Sequence, residues 1–132
     1  MLPKIEDIRG NLTFFEVGSN FPFEIKRVHW IYDVPGDEER GGHALRHSHE
    51  VIVALSGSFD VEVFNGKDFD IFPLRRSYKA LYVPNLCWRK LTNFSTNSLA
   101  LIASSNFFDK TEYIYSIKEL ANDSEFKKKY GL

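Results

Sequence analysis

The sequence predicts an antiparallel all-β fold, closed or sandwiched, that ends in one short helix. Three observations carry this reading: apolar and polar residues alternate from Glu50 to Ile71, turn-forming pairs separate the alternating runs, and short strands recur at even spacing. In chain order, Leu12 to Val17 and Ile25 to Asp33 are expected as the first strands. Val51, Val53 and Leu55 share one face of the next strand. After a Ser56-Gly57 turn, Phe59, Val61 and Val63 alternate with Asp60 and Glu62, which gives a strand pair with one buried face. Asn65-Gly66 suits the positive φ angles of a type I′ turn, so a strand from Phe69 to Phe72 should fold back. Tyr78 to Val83, Trp88 to Asn93 and Leu99 to Ala103 follow, with Pro84-Asn85 breaking the first of these from the second. Ser116 and Glu119 form a capping box that opens a polar helix over about 117–129.

The chain has 132 residues, read as one domain over 1–132, and a domain of this size buries roughly two thirds of its unfolded surface. It can hold a core and one modest pocket. With 43% hydrophobic and 27% charged residues and a net charge of -1, it has the composition of a soluble globular protein without a basic field for nucleic acid or anionic lipid. No apolar run approaches membrane length, and the first ten residues, MLPKIEDIRG, show no signal-peptide pattern. The lone Cys87 fits a reducing compartment, so a cytoplasmic setting is expected.

All four histidines, His29, His43, His47 and His49, fall in one stretch with Arg27, Arg40, Arg46 and the Gly41-Gly42 pair. Imidazole exchanges protons near neutral pH and also ligates metals, so this stretch is where a proton-transfer or metal site is sought. His47 and His49 share a strand face, and a metal pair there competes with two solvated edge residues.

Spacing narrows the fold. An HxH pair, an acidic residue, six residues and a glycine, followed later by Pro, His and Asn, is the signature of the cupin-type jelly-roll barrel. His43, Glu50, Gly57, Pro84 and Asn93 fall in this register, but the second His of the pair is Leu45 and the later His is Arg89. A metal wants three or four convergent N or O donors, and an aliphatic plus a cation at two of four positions leaves too few. A metal-free pocket that needs no cofactor is expected.

The segments PFEIKRVHWIYDVPG, RGGHALRH, ALSGS with VEVFNGK, LYVPNLCWRKLTNFS and ASSNFFDKTEYI, in that order between about Arg9 and Tyr115, resemble those of bacterial TDP-4-keto-6-deoxy-D-glucose 3,4-ketoisomerases, the WxcM-like sugar-nucleotide cupins. Arg-Gly-x-His-Ala, Pro-x-x-x-Trp and Asp-x-x-x-Tyr-Ile carry the resemblance most specifically. It implies a metal-free jelly-roll homodimer with strand exchange near the N-terminus, acting on a TDP-linked 4-keto-6-deoxy sugar. The product would be a TDP-3-keto-6-deoxyhexose of glucose or galactose configuration, destined for 3-amino-sugar and polysaccharide synthesis.

Moving a ketone from C4 to C3 requires removal of the C3 proton and return of a proton to C4 through an enediol, which one imidazole and a polarising partner can perform. His43 keeps the first histidine of the family's HAH motif and is the expected base. Leu45 replaces the second, and His29 stands where relatives carry tyrosine, so His29 is the expected substitute. The competing reading is a non-catalytic sugar-nucleotide-binding cupin module, which Leu45 favours.

Guanidinium groups match the oxygen pairs of a pyrophosphate bidentately. Arg27 and Arg40 are therefore expected on the diphosphate, and Arg89 and Arg9 near the sugar, although Arg9 beside Gly10 also reads as a turn arginine. Trp88 offers a flat surface for thymine or deoxysugar, against burial in the core. Glu50 reads equally as a pocket carboxylate or a surface strand residue.

Overall fold

The computed structural model describes residues 1–131 and is the antiparallel jelly roll that the strand pattern predicts. Its strands are β1 (Arg27–Tyr32), β2 (Arg40–Leu45), β3 (Glu50–Ser56), β4 (Phe59–Phe64), β5 (Phe69–Leu74), β6 (Ala80–Val83), β7 (Trp88–Thr92), β8 (Leu99–Ser104) and β9 (Tyr113–Ile114), followed by α1 (Ile117–Ala121) and α2 (Ser124–Tyr130). Two sheets form, in the orders β1-β8-β3-β6 and β5-β4-β7-β2-β9.

Period-2 alternation decides which side chains meet between the sheets. Ile52, Ala54, Ala100 and Ile102 from the first sheet pack against Phe59, Val61, Leu74 and Leu91 from the second. Phe59, Val61 and Leu91 are at most 2% exposed. Strand β3 is buried on both faces from Glu50 to Ala54, because Phe15, Phe21 and Phe23 of the N-terminal segment fold over Val51 and Ala103.

The inner face changes character along the strands. Next to the apolar layer, cross-strand register aligns Arg27, Ser104 and Glu50 in the first sheet and His43 with Arg89 in the second. Core gives way there to a polar chamber.

Several expectations need correction. Leu12 to Val17 forms no strand, since its segment makes only the isolated bridges Ile5 with Leu12 and Val17 with Phe21 while its aromatics pack as a cluster. Asn65 does not take positive φ, so the Asn65-Gly66 connection is not type I′. Instead the Asn65 side chain accepts from the Lys67 and Asp68 N–H groups at 3.2 and 3.1 Å, closing a four-residue loop between the paired Phe64 and Phe69. The expected helix over 117–129 is two helices. Ser116 caps the first by accepting from Glu119 N–H at 3.3 Å, and Asp123 caps the second by accepting from Glu125 and Phe126 N–H. An interior Asn122-Asp123 pair ends one helix and starts the next because short polar side chains compete for backbone groups. Leu120 and Phe126 are fully buried and pack on Ala44, Trp88 and Ile114, so the helices cover the outer face of the second sheet.

Candidate active site

Arg27, His29 and Ile31 on β1, Arg40 to His43 on β2, Glu50 and Ile52 on β3, Arg89 and Leu91 on β7, Ile102 on β8, and Tyr113 with Tyr115 line a cavity of about 370 Å³ between the sheets. Larger depressions exist on the surface. Among the described residues this cavity gathers two imidazoles, three guanidinium groups and a carboxylate, which is where proton chemistry would be placed.

The Gly41-Gly42 pair builds its upper wall. Arg40 pairs with Leu91 and His43 with Arg89, so two residues of β2 oppose one of β7 in a bulge. Gly41 takes φ +73°, where side chains other than glycine are strained. Gly42 backs onto Trp88, where an added Cβ would lie 3.5 Å from Cζ2.

His43 stands against Tyr113 with ring centroids 4.7 Å apart and against Tyr115 at 6.5 Å, while Tyr113 and Tyr115 stack at 5.8 Å. Burial, the Arg89 guanidinium and the neighbouring His29 push the His43 imidazole down to about 3. Burial also lowers His29, with Arg27 adding to this and the Glu50 carboxylate opposing it. Both rings are neutral near pH 7, the form that can accept a proton. His29 Nδ1 is buried without a hydrogen-bond partner, leaving that nitrogen uncommitted.

At the floor, Arg89 is 1% exposed and donates from Nη1 to Glu50 Oε1 at 2.6 Å and from Nε to the Cys87 carbonyl at 3.1 Å. Glu50 Oε2 accepts from the Ser104 hydroxyl at 2.9 Å. The carboxylate is thus a cavity group, and a cation already occupies it. Among the described residues no three His, Cys, Asp or Glu side chains converge as metal donors. The residues present do not fit a cupin metal, because the guanidinium of Arg89 occupies the carboxylate that would be a donor.

The structure brings together His43, His29, Arg27, Arg40 and Arg89 of the residues singled out from sequence. Two others lie elsewhere. Trp88 is one residue out of phase with Arg89 on β7, so it points to the helices and is buried with Leu120 and Phe126, its indole nitrogen unpartnered. Arg9 is on the surface, its Nε and Nη2 donating to the Asp7 carboxylate at 2.9 and 2.8 Å. Leu45 is 2% exposed and does not line the cavity. His49 also lies outside, its Nδ1 2.6 Å from the Tyr82 hydroxyl, as does the exposed His47. Sequence reasoning gave no role to Tyr113 and Tyr115, although the Asp109-x-x-x-Tyr113-Ile114 motif contained the first of them. That motif works through Glu112, whose buried carboxylate accepts from His47 N–H, Ser48 N–H and the Ser48 hydroxyl at 3.0, 2.8 and 2.7 Å, fixing β9 beside β2.

A jelly roll with a buried imidazole and guanidinium chamber defines a cupin-type protein equipped for acid–base chemistry on a polar ligand. Residues 1–125 match the family model FdtA, described as WxcM-like, C-terminal. A TDP-4-oxo-6-deoxy-alpha-D-glucose-3,4-oxoisomerase of Aneurinibacillus thermoaerophilus is 37% identical over 111 residues, 84% of this chain and 80% of that protein. The sugar 3,4-ketoisomerase QdtA of Thermoanaerobacterium thermosaccharolyticum, solved in complex with TDP, superposes with a TM-score of 0.92 at 31% identity over 98% of this chain and 93% of its own. That enzyme has also been solved as a histidine-to-asparagine variant in complex with TDP-4-keto-6-deoxyglucose. The TDP-quinovose 3,4-ketoisomerase WlaRB of Campylobacter jejuni gives a TM-score of 0.88 at 35% identity, covering 92% of this chain and 94% of that one. The chain belongs to the FdtA family of WxcM-like proteins.

Proposed function

We propose that this protein is a metal-independent 3,4-ketoisomerase of TDP-4-keto-6-deoxy-D-glucose, with His43 as the base. The observation that carries the reading is a cavity in which two neutral imidazoles, His43 and His29, lie with Arg27 and Arg40 in a family whose relatives are 3,4-ketoisomerases. The C4 carbonyl acidifies the C3 proton. His43 takes that proton, the electron pair forms the C3–C4 double bond, and O4 becomes protonated to give the enediol. Loss of the O3 proton and delivery of a proton to C4 complete a 3-keto sugar, with one C–H bond broken, one formed and no net oxidation. His29 stands as the second proton carrier that Leu45 cannot be. Arg27 and Arg40 serve the diphosphate. The protein would act in the cytoplasm, a setting supported by its free buried thiol, Cys87.

A homodimer with exchange of the N-terminal segment belongs to the same proposal. Val28, Trp30, Tyr32 and Leu55 project from the first sheet at 44%, 59%, 61% and 44% exposure, an apolar face that a second copy would cover. Light scattering at two protein concentrations tests it, and a monomer at both contradicts it.

The second reading, a non-catalytic binding module, rests on Leu45. Incubation with TDP-4-keto-6-deoxyglucose in deuterated water, followed by NMR, separates the two. Deuterium entering C3 and C4 supports the isomerase, whereas TDP binding without exchange above the buffer background leaves the binding module.

A further inference from the structure

A ketone that moves from C4 to C3 requires two proton transfers. One takes a proton from C3 and returns one to C4, and the other gives a proton to O4 while O3 loses one. The imidazoles serve the carbon atoms. The oxygen atoms need a group that can donate a proton to one and accept a proton from its neighbour. Among the described residues that line the chamber, Tyr113 and Tyr115 carry hydroxyl groups. Glu50 is already committed, with Arg89 on Oε1 and Ser104 on Oε2.

Register puts Tyr113 on the side of the base. It pairs with Leu45, which lies two residues beyond His43 on β2, and both alternation and antiparallel pairing keep these residues on one face. The Tyr113 and His43 ring centroids are 4.7 Å apart. Phe108 meets the Tyr113 ring at 5.9 Å in an edge-on contact and Tyr115 stacks at 5.8 Å, so the ring is held from three directions. Its backbone is held too, because the neighbouring Glu112 binds His47 and Ser48 through its carboxylate and accepts from Arg46 N–H at 3.0 Å through its carbonyl. Tyr115 is placed less well, 6.5 Å from His43 and 68% exposed at the rim, where water can replace its hydroxyl. The surrounding charge suits a transient phenolate. Glu50 neutralises Arg89, whereas Arg27 and Arg40 have no carboxylate of their own among the described lining residues. Arg27 lies over the Phe108 ring at 4.9 Å, one ring away from Tyr113.

We propose that Tyr113 is a further catalytic residue, the carrier of the oxygen proton. As His43 takes the C3 proton, the Tyr113 hydroxyl gives its proton to O4 and the enediol forms. The phenolate then takes the O3 proton as a proton is delivered to C4. One O–H bond is broken at O3 and one is formed at O4, and the phenol is restored with no net oxidation. This inference rests on the isomerase reading and assigns it a second group.

The test compares the wild type with Tyr113→Phe, which removes the hydroxyl and keeps the ring, and Tyr113→Leu, which removes both. Turnover of TDP-4-keto-6-deoxyglucose, deuterium entry at C3 and C4, and TDP affinity are measured for each. In Tyr113→Phe kcat should fall about 100-fold or more, the scale of a lost general acid–base group, and deuterium entry should slow with it. KM and TDP affinity should stay within about threefold, because the hydroxyl acts in the transition state. A ring that only packs predicts wild-type turnover in Tyr113→Phe and loss in Tyr113→Leu alone. A hydroxyl that only binds substrate predicts a raised KM at unchanged kcat. Either result, beside an active wild type, overturns the proposal and leaves the isomerase reading standing. A wild-type protein that exchanges no deuterium overturns that reading and the proposal with it.

Discussion

Arg40 and His43 stand three residues apart on β2, yet they pair with Leu91 and Arg89, which are two apart on β7. In a regular strand a spacing of three sends side chains to opposite faces. The bulge at Gly41-Gly42 absorbs the extra residue and turns both into the chamber. Gly41 has φ +73°, and an added Cβ would meet only His43 and Leu91 side-chain atoms at 3.6 Å or more, so the penalty of a side chain there is conformational rather than steric. Gly41→Ala should lower stability by about 1 kcal/mol and slow turnover, whereas Gly42→Ala, with its Cβ in ordinary contact with Trp88, should be close to neutral. Urea denaturation of both variants, with kcat, checks the contrast.

The depressed His43 gives the fold a pH dependence of definite sign. Its imidazole is held at about 3 in the folded chain against 6.5 when free, so the unfolded chain binds the proton first. Stability is complete above pH 6.5 and falls as the pH drops from there toward 3, by at most about 1.4 kcal/mol per pH unit from this group. His29 is lowered in the same direction. Between pH 6.5 and 5, above the carboxylate range, Tm should fall in the wild type and fall less in His43→Asn.

Glu112 tests the support of the aromatic wall. Its carboxylate satisfies three donors, the two from Ser48 buried, and replacing it leaves the Ser48 and His47 N–H groups without an acceptor. Glu112→Ala should cost about 2–4 kcal/mol in chemical denaturation and raise hydrogen exchange at Tyr113 and Ile114.

Tyr115 is 68% exposed at the rim of the chamber. Tyr115→Ala should leave Tm within about 1 °C and weaken TDP binding severalfold in calorimetry, because it removes a ring face and little packing. Unchanged binding would take Tyr115 out of the ligand surface.

Much of this was legible in the sequence where the signal is local. Alternation from Val51 to Val63 placed β3 and β4, and the context of His43 pointed to an imidazole that does line the chamber. Strand β2 was not read as a strand, because Arg40-Gly-Gly-His43 has no apolar alternation and its pairing depends on a bulge. The Leu12 to Val17 strand failed because alternation supplies a face but no partner edge. The Glu50–Arg89 bond joins residues 39 apart on different sheets, so neither its existence nor the loss of Arg89 to the floor was visible locally. Trp88 went astray by one residue of phase.

The central claim is that His43 moves the proton. The most direct measurement is deuterium incorporation at C3 and C4 of TDP-4-keto-6-deoxyglucose, followed by NMR for the wild type, His29→Phe and His43→Asn under one set of conditions. The account predicts exchange in the wild type, strongly slowed exchange in His29→Phe, and none above background in a His43→Asn protein that still binds TDP. Exchange at the wild-type rate in folded His43→Asn would contradict it.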